Sequence, residues 1–102
     1  MSKQSKTKQT ARARGSHSIR LELIRPQARE VCVAGSFNDW QPTATPLKSA
    51  GDGKWVVELS LPPGRHEYRF IADGEWVDDP SAKEFVPNPH GGANALLVVL
   101  PA

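Results

Sequence analysis

Cysteine is almost missing from this chain. Cys32 is the only one in 102 residues, so no internal disulfide can form. A small domain without that staple must hold itself together through its core, and the shortage of cysteine fits a reducing cytoplasm. Cys32 has no second cysteine with which to hold zinc and reads as a small residue in a strand. Long apolar runs are missing as well. None approaches the ~20 residues of a membrane span, and no secretory signal is present. Acidic residues are absent from the first stretch. Residues 1–20 carry Lys3, Lys6, Lys8, Arg12, Arg14 and Arg20 and no acid, which leaves seven basic side chains against eleven acidic ones in the remainder, a net of −4. The formal charge of +2 therefore belongs to the beginning of the chain. The acidic remainder is a poor partner for a phosphate backbone, which argues against nucleic acid.

The motifs of catalysis are missing too. No Gly-x-Ser-x-Gly offers a nucleophile on a strained turn, and no Gly-x-x-x-x-Gly-Lys cradles phosphate. His17, His66 and His90 lack the spacing of metal ligands, so no metal and no cofactor is expected. Asp78 and Asp79 are adjacent carboxylates, but neighbours on a strand point to opposite faces and cannot flank one glycosidic bond. Asp79-Pro80 reads as a turn starter. These absences point away from an enzyme.

What is present is a series of short strands. Residues 1–17 are Lys, Gln, Ser, Thr, Arg and Ala with almost nothing to bury, and read as a disordered basic tail. Residues 18–102 form the domain. Ile19, Leu21 and Leu23 alternate with charges. Glu30 to Ser36 is a second strand, with Val31 and Val33 inward. Trp55, Val57, Leu59 and Leu61 alternate along a third. Asn94 to Leu100 is an apolar run suited to a buried last strand, and residues 43–50 read as connection. Turn residues separate these runs, and no segment has sustained helical periodicity. The class is all-β, an antiparallel sandwich, and about 80 ordered residues can support such a core.

The central stretch is His66 to Trp76. His66, Tyr68 and Phe70 alternate with Glu67, Arg69 and Ile71, and Asp73-Gly74 then tolerates the positive φ that a two-residue hairpin turn needs. The outward side of this hairpin should be wet. Yet Trp76 lies just past the turn, and Trp40 ends the polar loop Phe37-Asn38-Asp39-Trp40. Two indoles beside Arg, Lys and Asn are either lids on a core or a contact surface. A flat indole ringed by hydrogen-bonding groups suits a pyranose, whose C–H face is apolar and whose rim is hydroxyl. Trp55 differs, because its register with Val57 and Leu59 puts it in the core.

Gly35-Ser36-Phe37-Asn38-Asp39-Trp40, Leu61-Pro62-Pro63-Gly64-Arg65-His66-Glu67-Tyr68-Arg69-Phe70, Asp73-Gly74-Glu75-Trp76 with Asp79-Pro80, and Asn94 before an apolar strand occur in that order. Together they resemble the glycogen-binding module of the AMP-activated protein kinase beta subunit. They are also similar to the early-set modules at the N-termini of isoamylase-type debranching and branching enzymes. The resemblance covers residues 18–100. It implies an immunoglobulin-like early-set fold and binding of α-1,4-glucans such as glycogen, starch or maltooligosaccharides. It also implies that Trp40 and Trp76 stack on glucose while Arg69 and Asn94 hydrogen-bond to it. The chain departs from the family in having Arg69 for a lysine and Gly92 for a threonine, and in one extra residue between Asp79 and Asn94. The alternative reading is an early-set module that has lost sugar binding and carries its tryptophans toward a protein partner. A third, contact with nucleic acid, would work through the tail.

Overall fold

The alternating stretch around Tyr68 becomes the longest strand of the fold and the spine of one sheet. A computed structural model of the chain describes residues 16–89 and 91–101. Its strands are β1 (His17–Ile24), β2 (Val31–Gly35), β3 (Lys48–Ser49), β4 (Lys54–Leu61), β5 (Gly64–Ala72), β6 (Glu75–Val77), β7 (Phe85–Pro87) and β8 (Ala93–Val99). Among the described residues there is no helix, and so none long and apolar enough to cross a membrane. One sheet has the order β1-β4-β3. The other runs β2-β5-β8-β7, with β6 also on β5. Every pairing is antiparallel. This is the two-sheet β-sandwich that the spacing of strands and turns predicts. The expectation of a disordered tail falls almost wholly on residues 1–15, which lie outside the described residues. β1 takes in His17, which that expectation assigned to the tail.

The core follows from period-two burial. Phe70, Val31 and Val33 are fully buried on one sheet. Leu21 and Leu23 face them from the other, and Ile19, Trp55, Val57 and Leu59 pack half-buried around them. Trp55 keeps its indole at the margin, where its N–H donates to the Arg25 carbonyl at 3.1 Å. Tyr68 and Phe70, two apart on β5, meet edge to face with ring centroids 5.7 Å apart.

Four sequence expectations change. Residues 43–50, read as connection, hold the two-residue β3, which pairs Lys48 with Val56 and Ser49 with Trp55. The Pro- and Gly-rich stretch after Asp79 holds β7, too short and too proline-rich to announce itself. The apolar run at the end is buried on one face only. Val98 is 45% exposed, because the sheet has solvent on its outer side. Nor is the outward side of the central hairpin simply wet. Cys32, Ala34 and Ile71 are buried there under Trp40. The hairpin turn itself is as expected. Asp73 and Gly74 have φ of 51° and 84°, and Ala72 pairs with Glu75. Asp73 also accepts the Arg29 and Glu30 N–H groups, both at 2.9 Å, which fastens the turn to the entry of β2.

Asp79 does start a turn, with its carboxylate accepting the Ser81 N–H and hydroxyl at 2.9 and 2.7 Å. It does more than that, since it is buried and its other oxygen accepts the Tyr68 hydroxyl. The β6–β7 connection is thereby pinned to the core by hydrogen bonds to both carboxylate oxygens. Burial, reinforced by Asp79, pushes the Tyr68 phenol well above its ordinary value.

Two predictions follow from this core. Phe70→Ala should cost stability near the top of the range of about 3–5 kcal/mol for a buried aromatic, and half-buried Trp55→Ala near the bottom, by urea unfolding. Because folded Tyr68 holds its proton more tightly than the unfolded chain does, its contribution is intact below the ordinary tyrosine pKa of about 10 and is lost as pH rises past it. The wild-type melting temperature should therefore fall more steeply above about pH 10 than that of Tyr68→Phe. The variant itself should lose about 1–3 kcal/mol at neutral pH, because Asp79 is left short of a donor.

Candidate functional site

The outer face of the β2-β5-β6 region carries the site, and strand register puts it there. Ile71 on β5 pairs with Cys32 of β2 on one side and with Trp76 of β6 on the other, so these three side chains form one row. Arg69 lies two residues back on the same face, opposite Ala34, and Glu67 two further back. On the side of β5 away from β2, β8 pairs as far as Tyr68 and β6 starts at Phe70. Arg69 thus lies at the break between them, with Asn94 at the end of β8 beside it.

Trp40 reaches this face from a tightly closed loop. The Asn38 and Trp40 N–H groups both donate to the Gly35 carbonyl, at 3.1 and 2.9 Å. The Asn38 side chain accepts from the Gly35 N–H and donates to the Val33 carbonyl and the Thr45 hydroxyl, each at 3.0 Å. Gly35 can be nothing larger, because a Cβ there would come within 2.4 Å of the Glu67 carbonyl oxygen. Asp39 and Trp40 are left at φ of 57° and 58°. A tryptophan in the left-handed region is costly and persists only where its surroundings over-determine it. Here the strain turns the indole back over Cys32, Ala34 and Ile71.

Trp40, Glu67, Arg69, Trp76, Asn88, Pro89 and Asn94 line one open cavity of about 820 Å³. All four residues expected at a sugar site, Trp40, Arg69, Trp76 and Asn94, are brought together. Trp76 is 42% exposed, with its ring open to solvent. Trp40 is half-buried, so it serves as both lid and wall. The Arg69 guanidinium is held by Asp78 at 3.0 Å, and its Nε has no hydrogen-bond partner among the described residues. Asp78 is the next residue after β6, where the register places it opposite Arg69, whereas Asp79 turns into the core. The two carboxylates diverge, as alternate positions on an extended chain must.

Asn94 is buried, and its amide is already engaged. It donates to Glu67 at 3.0 Å and accepts from Asn88 at 3.1 Å, and Asn88 in turn accepts the Gly92 N–H at 3.1 Å. The sequence reading missed Glu67, Asp78 and Asn88 as lining or supporting residues. Glu67 was legible, since it shares the outward set of β5 with Arg69. Asn88 was not, because nothing in a Pro- and Gly-rich loop says which side chain folds back onto a strand.

The family described as the glycogen recognition site of AMP-activated protein kinase matches residues 18–102. The 5'-AMP-activated protein kinase subunit beta-2 of Mus musculus is 42% identical over 71 residues, covering 70% of this chain and 25% of that protein. The subunit beta-1 of Sus scrofa is 38% identical over 71 residues, covering 70% of this chain and 55% of that protein. The chain thus spans about a quarter of the mouse relative's length. A maltogenic amylase from S. marinus superposes with a TM-score of 0.69 at 26% identity, over 83% of this chain and 14% of that one. The chain belongs to the family of glycogen recognition sites of AMP-activated protein kinase.

Proposed function

We propose that this domain is a non-catalytic module that binds α-1,4-glucans in the groove between Trp40 and Trp76. The observation that carries the reading is the convergence of two indoles, a guanidinium and a carboxamide on one cavity. Indole faces take the apolar C–H surface of glucose and exclude water from it, while Arg69 and Asn94 supply hydrogen bonds at the rim. The guanidinium is pre-oriented by Asp78, so less side-chain freedom is lost when a sugar hydroxyl arrives. The same contacts serve a glycogen branch, a starch chain or a short maltooligosaccharide, because each presents the same ring faces.

The divergence of Asp78 and Asp79 supports the absence of catalysis, since neither can face the other across a glycosidic bond. A protein partner belongs to the proposal too, because the relatives are subunits of a kinase. Residence in the cytoplasm rests on the free, buried Cys32.

The test is a titration with maltoheptaose followed by tryptophan fluorescence. The wild type should show saturable binding. Trp40→Ala and Trp76→Ala should fold normally and each lose about 2 kcal/mol or more of binding, as central aromatic anchors do. Trp76→Ala, whose ring is the more exposed, should leave the melting temperature nearer that of the wild type than Trp40→Ala. A wild type that ignores maltoheptaose while both variants fold would hand the tryptophans to a protein partner.

A further inference from the structure

The polar floor of the groove has a direction. It begins at the Gly92 N–H, a backbone donor that cannot accept. That N–H therefore meets the carbonyl oxygen of the Asn88 side chain and turns its NH₂ toward Asn94. Asn94 must answer with its oxygen, which turns its own NH₂ toward Glu67. Glu67 ends the series with a carboxylate oxygen, which when ionised accepts and cannot donate. An amide oxygen and nitrogen are close to interchangeable in shape, and an isolated asparagine can turn either way. Here a pure donor at one end and a pure acceptor at the other leave the two amides between them one orientation.

We propose that Glu67 and Asn88 are positioning residues that lock the Asn94 carboxamide for glucan recognition, a proposal that rests on the glucan reading above. With one N–H given to Glu67 and one lone pair to Asn88, Asn94 keeps its second N–H and second lone pair without another partner among the described residues. One donor and one acceptor, held by the relay on a residue that lines the groove, suit the hydroxyls on the edge of a glucose ring, each of which can accept or donate. The relay also joins β5, β8 and the loop from Asn88 to Gly92 behind the groove. The Asn88 N–H also donates to the Gly92 carbonyl at 2.9 Å.

The experiment compares Glu67→Gln with Glu67→Met in the full chain. Glutamine keeps an acceptor for the Asn94 NH₂, and methionine keeps the bulk and removes it. Glu67→Met should weaken maltoheptaose binding about tenfold, the loss of one well-made hydrogen bond. Glu67→Gln should stay within about twofold of the wild type, because that bond is kept. The side-chain amide signals of Asn94 in the sugar-free protein should shift and broaden in Glu67→Met and hold their places in Glu67→Gln. If Glu67→Met fails to fold, Asn88→Ala carries the same expectation from the other end of the relay. Wild-type affinity in Glu67→Met, or equal losses in both Glu67 variants, would overturn the proposal. A wild type that binds no maltoheptaose overturns the glucan reading instead. The Asn94 amide signals then still decide whether the relay exists.

Discussion

The register of the hairpin between β5 and β6 is the constraint on which the rest depends. Two residues, Asp73 and Gly74, reverse the chain, and their left-handed backbone fixes which β6 residue meets which β5 residue. Side chains alternate with a strict period of two, so a slip by one residue would carry Trp76 off the outer face and drop Val77 from the core. It would also exchange the destinations of Asp78 and Asp79, taking the counter-ion from Arg69 and the acceptor from Tyr68. Asp73 does not hold this register alone. Its carboxylate grips the backbone at the start of β2, so the same residue that sets the hairpin also sets the neighbouring strand.

One strand serves two purposes. The inward residues of β5, Tyr68 and Phe70, are fixed by packing, and the outward ones, Glu67 and Arg69, are fixed by polar partners. The outward set would be floppy on an ordinary wet sheet face. It is not, because Ile71 with Cys32 and Ala34 forms a small second core beneath Trp40. The proposed stacking of two rings on one sugar chain calls for a stiff backing, and apolar packing stiffens one flank of this face while hydrogen bonds stiffen the other.

Much of this was legible in the residues. The alternation in β1, β4 and β5 gave strands and faces, because period two is imposed by the backbone itself, and Asp73-Gly74 gave the turn, because few other pairs accept positive φ. Trp40 and Trp76 stood out as large rings in places that should be wet, and Arg69 and Asn94 were reached through the family resemblance. The short strands β3 and β7 were not legible, since two or three residues cannot display a period. Burial beneath Trp40 was hidden for another reason. Cys32, Ala34 and Ile71 are small or moderate residues that a solvated face tolerates, and only the return of the Trp40 loop, held by Asn38, covers them. The engagement of Asn94 by Asn88 was likewise invisible, as it joins a loop to a strand through side chains with no sequence pattern.

The groove draws on segments from Trp40 to Asn94, with β5 and β6 between them. No two adjacent strands contain it, and β8 must find β5 before Asn94 can stand beside Arg69. Contacts so far apart along the chain form late and slowly, because loop-closure entropy must be overcome before they return any stabilisation. The proposed site is therefore complete only once β8 has paired with β5, so a chain still emerging from the ribosome would lack Asn94 beside Arg69 until β8 was free to close the sheet.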